Sequence, residues 1–441
     1  MKRVKNRALS ALLLVVIAVV GLCIYIIKYT INGDSWAIAF AEESGRLIDR
    51  NGVMLSDTVD GKRIFAENAD VRRATLHAVG EGKGFIGTGA LTAYAPQLIG
   101  YNTLTGLYSR TGEAHIVKLT IDSRLNVEAY KALEGRRGAV MVMNYKTGEV
   151  LCMVSSPTFD PSKAPGNIEN DPNYEGVYIN RALSAAYTPG SVFKILTSAV
   201  AIENISDLYE RKFYCSGSVR IGVEGENGVV NCPNWHGTLS FADALAVSCN
   251  CAFAELSIEL GSLKLALYAR RYGLSERTTI GNIKTTKGNF DITKWNTGAL
   301  AWSGIGQHTD TVCPASMLRL VGAIANNGVA APMRLAQNTG TDPIFSHRIM
   351  RSDTAKRLDE ILDYSSRNSK SFQGLELYAK SGTAEVGDKE SPHAWFTGYI
   401  RNEGCPFAFV VVVENGGGGT AVAGPIANRV MQAAIKYSLI E

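Results

Sequence analysis

The chain has 441 residues, 46% hydrophobic and 20% charged, with 45 Lys and Arg against 41 Asp and Glu and a formal net charge of +4. Lys2, Arg3, Lys5, Arg7 and Lys28 lie in residues 1–28 without a single acid, so the rest carries 40 bases against 41 acids, or −1. A short basic arm on a nearly neutral body excludes a distributed nucleic-acid footprint. The apolar content excludes disorder, and the length allows two or three domains with sizeable cores.

In chain order, residues 8–27 (ALSALLLVVIAVVGLCIYII) come first and carry no charge. A helix of twenty residues spans roughly 30 Å, the thickness of bilayer hydrocarbon. The run exceeds the roughly 7–15 apolar residues of a signal peptide, and Ala37-Ile-Ala39, a small-x-small site, does not follow it closely. An uncleaved anchor is expected. The basic residues before it place the amino terminus in the cytoplasm and the bulk of the chain outside.

Cys23 lies in this run; Cys152, Cys215, Cys232, Cys249, Cys251, Cys313 and Cys405 follow it. Seven is odd, so at least one is unpaired or pairs between molecules. Cys215 and Cys232 flank a Gly-rich loop and read equally well as a disulfide or as two reduced thiols. Cys249-x-Cys251 with His236 nearby lacks the paired spacing of zinc sites, so no metal is expected.

Ser44–Ser56 reads as strand, turn and strand around Asn51-Gly52. The glycines of Gly80–Gly106 match neither phosphate-loop pattern and read as turns of a small β-rich module. A strand is expected over Ala114–Ile121, then a helix capped by Asp122 or Ser123 and running to about Leu133. Gly138–Asn144 and Glu149–Ser156 form a hairpin around Lys146-Thr147-Gly148. Helices are expected over Ser191–Glu203, over Ser240–Leu260 with a break near Ser248, and from Pro314 to Asn326 or Asn327. Strands follow at Leu375–Glu385, Ala394–Ile400 and Phe407–Glu414, then a flexible connection at Gly416–Gly419 and a helix from about Pro425 to Ser438. Strands at both ends of a helical region imply one antiparallel sheet completed by both termini, an α+β domain.

Three short motifs lie inside this region: Ser191-Val-Phe-Lys194 after Thr188-Pro189-Gly190, then Ser248-Cys249-Asn250, then Lys380-Ser381-Gly382-Thr383. The first is the chain's only Ser-x-x-Lys. Pro-Gly punctuation puts Ser191 in a first helical turn and Lys194 one turn later on the same face. Serine needs an adjacent base to become a nucleophile. Lysine can be that base only when neutral, which requires desolvation or a neighbouring cation such as Lys380. The helix amino terminus adds N–H groups for a developing oxyanion.

This ordered trio resembles that of the class B penicillin-binding proteins, which are peptidoglycan D,D-transpeptidases. The likeness covers nearly the whole chain and is greatest to small members with a short membrane-proximal module. It extends to Gly45-Arg46-Leu47-Ile48-Asp49-Arg50-Asn51-Gly52, Gly138-Ala139-Val140, Ser155-Ser156-Pro157, Phe159-Asp160-Pro161, His236-Gly237, Gly304-x-Gly306-Gln307 and His393-Ala394-Trp395-Phe396. Ser381 replaces the commoner Thr and keeps its hydroxyl. Cys249 as the middle residue of the second motif leaves both functional side chains in place.

The resemblance implies a β-lactamase-like α+β transpeptidase domain over 116–441, its antiparallel sheet flanked by helices. A non-catalytic module over 29–115 and the anchor over 1–28 would precede it, on the outer side of a bacterial cytoplasmic membrane. It implies Ser191 as nucleophile toward a D-Ala–D-Ala stem peptide and Lys194 as general base. Ser248, with Lys194 and Lys380, would pass a proton to the departing amine, and Asn250 would hold the donor amide. The backbone N–H groups of Ser191 and Thr383 would form the oxyanion hole. Ser381 and Thr383, with Gly382 between them, would hold the terminal carboxylate. Peptidoglycan stem peptides, β-lactams, the bilayer and a separate membrane glycosyltransferase are the implied partners, and no cofactor is implied. The alternatives are a membrane-anchored β-lactam sensor and a β-lactamase-like hydrolase. The hydrolase lacks its Glu-x-x-Leu-Asn motif here, and a sensor would need more than seven residues before the span.

Overall fold

The computed structural model describes residues 2–31, 45–102, 107–108, 115–221, 228–290, 297–337, 345–367, 375–387, 390–402 and 404–439. Ala37-Ile-Ala39 and the expected strand ends Ser44 and Ala114 lie outside the described residues. Helix α1 (Lys2–Ile31) opens the chain, and its described apolar side chains from Leu9 to Ile24 are exposed. Among the described residues no helix is long and apolar enough to cross a membrane.

Strands β1 (Arg46–Ile48), β2 (Met54–Val59) and β3 (Lys62–Phe65) follow, then helix α2 (Ala69–Val79) and strand β4 (Ile116–Lys118). They form a sheet in the order β3-β2-β1-β4, with β1 and β4 parallel. The expected strand-turn-strand is present, so this sheet crosses the expected boundary at 115. The turn is held by Asp49, whose buried carboxylate accepts from the N–H groups of Asn51 (2.8 Å) and Val53 (2.9 Å) and from the Ser123 hydroxyl (2.7 Å).

The module is not simply β-rich, which corrects the sequence expectation. Asn68 caps α2 by accepting from the N–H groups of Asp70 and Val71, and short helical turns occupy Ala90–Ala93 and Ala95–Leu98. The glycines here permit close packing between helices: a Cβ on Gly89 would lie 2.5 Å from the Gly80 Cα. Leu47, Leu55, Ala78, Leu91, Tyr94 and Leu98 share one continuous core with the rest of the chain.

Helix α3 (Ser123–Leu133), with Asp122 as its cap, leads into β5 (Gly138–Asn144) and β6 (Val150–Ser156). The chain then runs through α4 (Lys194–Asn204), α5 (Phe241–Ala246), α6 (Asn250–Leu260), α7 (Ser262–Arg271), α8 (Pro314–Ala325) and α9 (Ser352–Arg367). It returns as β7 (Leu377–Ala384), β8 (His393–Ile400) and β9 (Phe407–Val413), and α10 (Gly424–Ser438) is the last helix. The five strands form one antiparallel sheet in the order β7-β8-β9-β5-β6, so segments from both ends of the region complete it.

Both faces of this sheet are covered, which explains why β9 reads as an unbroken apolar run (FAFVVVV). Val140, Val142, Phe409 and Val411 pack against Leu125 and Leu133 of α3 and Ile426 and Val430 of α10. The alternate residues Met141, Met143, Val410 and Val412 face the helical layer containing Leu318 and Val321 of α8. Edge strand β7 carries the third motif and borders the groove between sheet and helices.

Candidate active site

Ser191 lies in a tight 3-10 turn, Gly190–Phe193, that runs directly into α4. Three backbones meet there. Gly190 has a φ of 55° and Gly306 a φ of 79°, both left-handed, and the Gly190 N–H donates to the Gly306 carbonyl at 2.8 Å. A Cβ on Gly306 would lie 2.2 Å from the Gly190 carbonyl oxygen, and one on Gly190 2.6 Å from that of Thr383. Any side chain would push these segments apart. The Trp395 indole N–H donates to the Thr188 carbonyl at 2.9 Å and fixes the approach to the turn from β8.

The second motif sits at the expected break. Ser240 and Asp243 cap α5 reciprocally, α5 stops at Ala246, and α6 starts at Asn250. Ser248 between them is left-handed, with a φ of 58°, a conformation rare for residues with a side chain. It turns both the Ser248 hydroxyl and its carbonyl toward Lys194.

Lys194 is fully buried. Its Nζ lies 3.0 Å from Ser191 Oγ, 2.8 Å from the Ser248 carbonyl, 3.1 Å from Ser248 Oγ and 2.7 Å from Asn250 Oδ1. Lys380, 3% exposed, reaches the same Ser248 Oγ at 3.1 Å and the Ser381 carbonyl at 3.0 Å. Burial, reinforced by the Lys380 charge, pushes the Lys194 ammonium well below its ordinary pKa. Burial alone brings Lys380 down to about 8.

Two ammonium groups facing one hydroxyl in a dry site repel each other, so the first proton to leave is that of Lys194. A neutral Lys194 amine has two N–H donors, which match the Ser248 carbonyl and Asn250 Oδ1. Its lone pair is then free to take the hydroxyl hydrogen of Ser191. Ser248 bridges this base to the Lys380 cation.

A cavity of about 470 Å³ opens above these groups, lined by Ser191, Ser248, Asn250, Ser381 and Thr383. Asn231, Cys232, His236, Trp302, Gln307 and Glu385 are among the other residues that line it. Lys194 and Lys380 lie beneath the lining. Gly382 does not line it either; a Cβ there would meet the Pro189 carbonyl at 2.8 Å. The structure therefore gathers Ser191, Lys194, Ser248, Asn250, Lys380, Ser381 and Thr383 at one groove, with Gly382 as the contact that lets β7 approach. Gly416–Gly419, read from sequence as a flexible connection, is packed against the site. The Gly419 N–H donates to Thr383 Oγ1 at 3.2 Å.

A second cluster adjoins the second motif. All described cysteines are free thiols, so Cys215 and Cys232 form no disulfide. The Sγ atoms of Cys215, Cys232 and Cys249 and a ring nitrogen of His236 instead lie within 4.8 Å of one another. Cys251 Sγ is 3.6 Å from Cys215 Sγ, and the Asn250 N–H points at Cys232 Sγ at 3.3 Å. Three sulfurs and one imidazole are a donor set that could hold a thiophilic divalent ion. The expectation of no metal is corrected to this extent, since spacing along one segment does not reveal donors gathered from several. These donors come from three segments: pairing of Phe213–Cys215 with Gly237–Leu239 sets Cys215 beside the segment of Cys232 and His236, and Cys249 arrives at the start of α6.

Residues 138–432 match the family model described as penicillin binding protein transpeptidase domain. The chain is 26% identical over 363 residues to peptidoglycan D,D-transpeptidase PbpA of Mycolicibacterium smegmatis, covering 73% of this chain and 72% of that protein. It is 28% identical over 373 residues to peptidoglycan D,D-transpeptidase PbpA of Mycobacterium tuberculosis, with the same coverage of 73% and 72%. The structure of penicillin-binding protein A from M. tuberculosis as a ceftriaxone acyl-enzyme superimposes with a TM-score of 0.75 at 22% identity, covering 89% of this chain and 98% of that one.

Proposed function

The chain belongs to the penicillin-binding protein transpeptidase family, and from that premise we infer that it is a class B peptidoglycan D,D-transpeptidase acting through a Ser191 acyl-enzyme. The observation that carries this reading is the unbroken contact from Ser191 Oγ to Lys194 Nζ (3.0 Å), from there to Ser248 Oγ (3.1 Å), and on to Lys380 Nζ (3.1 Å).

In the proposed reaction Ser191 Oγ attacks the carbonyl between two terminal D-Ala residues while Lys194 takes its proton. Backbone N–H groups of Ser191 and Thr383 receive the oxyanion, and the terminal carboxylate rests on Ser381 and Thr383 with the Lys380 charge behind. The C–N bond breaks as Ser248 relays the proton from Lys194 to the leaving amine, and D-Ala departs. An amine of a second stem peptide then attacks the ester, loses its proton through the same groups and restores Ser191. A positioned base contributes about 10²–10⁴-fold, and oxyanion donors about 10²–10³-fold each. Asn250, which meets both Lys194 and the Asn231 carbonyl (2.8 Å), holds the donor amide and keeps the base aligned.

In the same proposal α1 is the single membrane anchor, with the amino terminus inside. The uncharged run 8–27 and the exposed apolar side chains of α1 support this. Residues 29–115 with strand β4 form the membrane-proximal module, and a separate membrane glycosyltransferase supplies the glycan strands. The test of the acyl-enzyme is labelled penicillin. A stable adduct mapped to Ser191 and absent from Ser191→Ala is expected. Rapid penicillin hydrolysis without an adduct would favour a β-lactamase-like hydrolase.

A further inference from the structure

The segment that enters the Ser191 turn is pinned at consecutive residues. The Tyr187 N–H donates to the Val312 carbonyl at 3.1 Å, and its own carbonyl accepts from the Val312 N–H at 2.8 Å. The Thr188 carbonyl is held by the Trp395 indole. The buried Tyr187 ring stands edge-on to His393 and Trp395, with centroids 5.4 and 6.2 Å away. Its hydroxyl donates to Glu414 Oε1 at 2.6 Å, and the same oxygen accepts from Nε of the buried Arg181 at 2.8 Å. Burial, with the Glu414 charge beside it, holds the Tyr187 phenol well above its ordinary pKa, so it remains a donor.

Neither Tyr187, Arg181 nor Glu414 is among the residues lining the cavity, and the bond-making steps use none of them. Their place in the fold gives them a different task. Glu414 directly follows β9, and its N–H donates to the Arg137 carbonyl at 2.8 Å, just before β5. Its backbone is thereby tied to the sheet. Through its side chain it holds Tyr187, three residues before Gly190. Along the chain it leads in five residues to Gly419, whose N–H meets Thr383 Oγ1 and whose Cβ, if present, would lie 2.2 Å from the Gly382 carbonyl oxygen. The supports of the two segments that carry the Ser191 and Thr383 N–H groups converge on this one residue.

A buried ion pair returns little of its desolvation cost as stability. What Glu414 supplies here is a fixed acceptor for one hydroxyl. We propose that Glu414 is a positioning residue which, through the Tyr187 hydroxyl, fixes the Thr188–Gly190 approach and with it the separation of the Ser191 N–H from the Thr383 N–H. The proposal rests on the Ser191 acyl-enzyme reading and adds a support behind the oxyanion site; Glu414 itself touches no substrate.

The test follows penicillin acylation of the full chain by rapid quench. It separates the first-order acylation constant from the dissociation constant of the non-covalent complex and gives the labelled fraction at the end point. A misplacement of about 1 Å costs about 10²-fold in rate, so Glu414→Ala should lower the first-order constant by about 10–100-fold and Tyr187→Phe by about 3–10-fold. The dissociation constant should stay within about twofold in both, because the groove keeps its lining. Glu414→Gln keeps an acceptor oxygen at the Oε1 position and should acylate within about threefold of wild type, even with a lower Tm. Adding Tyr187→Phe to Glu414→Ala should cost less than about twofold more, since the two residues act in series.

A purely structural role would move Tm and the labelled fraction and leave the first-order constant at its wild-type value; that result would overturn the proposal. So would Glu414→Gln as slow as Glu414→Ala, which would make charge rather than the hydrogen bond responsible, or losses that multiply fully in the double variant. Should Glu414→Ala not fold, Tyr187→Phe decides alone, a wild-type first-order constant counting against the proposal. If wild type is labelled at Ser191 and the variants keep its rate, the positioning assignment alone fails. If penicillin labels nothing in wild type, the acyl-enzyme reading fails and takes the proposal with it.

Discussion

Replacing Lys380 by Met removes a buried ammonium while keeping most of the side-chain volume, and the structure predicts opposite effects on activity and stability. Burial lowers the Lys380 pKa from 10.5 to about 8. At about 1.4 kcal/mol per tenfold change in equilibrium, this makes holding the charge inside the folded protein cost roughly 3 kcal/mol. Against that, the Ser381 carbonyl loses a donor at 3.0 Å, worth about 1 kcal/mol, while Ser248 Oγ keeps Lys194. Lys380→Met should therefore be more stable than wild type by about 2 kcal/mol. Its acylation should fall by about 10²–10⁴-fold, because the cation that keeps Lys194 neutral and attracts the carboxylate is gone. The pH dependence follows the same sign. Between about pH 8 and 10.5 the unfolded state binds the Lys380 proton more tightly than the folded state, so wild-type stability rises with pH in that window. The variant should lack that contribution. Equilibrium denaturation and penicillin acylation rates, measured on the same preparations, check both halves. A variant less stable than wild type would refute the reasoning.

The pH profile of acylation should fall above about 8 as Lys380 loses its proton. Its acid limb should report Lys194, whose pKa is held well below the ordinary lysine value; a profile flat through pH 9 would contradict this assignment. Gly306→Ala should slow acylation at least tenfold and destabilise the fold by about 1–3 kcal/mol, since its Cβ would strike the Gly190 carbonyl from a left-handed backbone. Wild-type acylation rates in this variant would show that the turn at Gly306 does not set the nucleophile. Stoichiometric cobalt(II) added to reduced protein should give a thiolate-to-metal charge-transfer absorption that weakens in Cys232→Ser and Cys249→Ser. No band in wild type would mean that the three thiols and His236 do not form a metal site.

The large sheet was legible because burial on both faces leaves an unmistakable signature. Gly138–Asn144 and Phe407–Val413 are nearly uninterrupted apolar runs at the two ends of the domain. The break at Ser248 was legible from local chemistry, and the three motifs from order and residue type. The short helical turns at Ala90–Ala93 and Ala95–Leu98 were obscured because Gly80 and Gly89 resemble turn residues when they in fact let two segments touch. α9 is absent from the sequence expectations, although Ala355, Leu358, Ile361 and Leu362 recur at helical spacing on one buried face. Glu385 was not legible as a lining residue, and Cys215, Cys232, His236 and Cys249 were visible singly or in pairs but not as one cluster. Their meaning depends on which distant segments fold against them, and spacing along the chain carries no record of that.

The central claim is that the ester on Ser191 is resolved by an amine. Products formed from lipid-linked, partly polymerised peptidoglycan, separated and identified by mass spectrometry, test it most directly. Wild-type protein should yield crosslinked dimers with release of D-Ala, and Ser191→Ala should yield none. Trimmed, uncrosslinked peptides as the sole product would make water the acceptor and contradict the account.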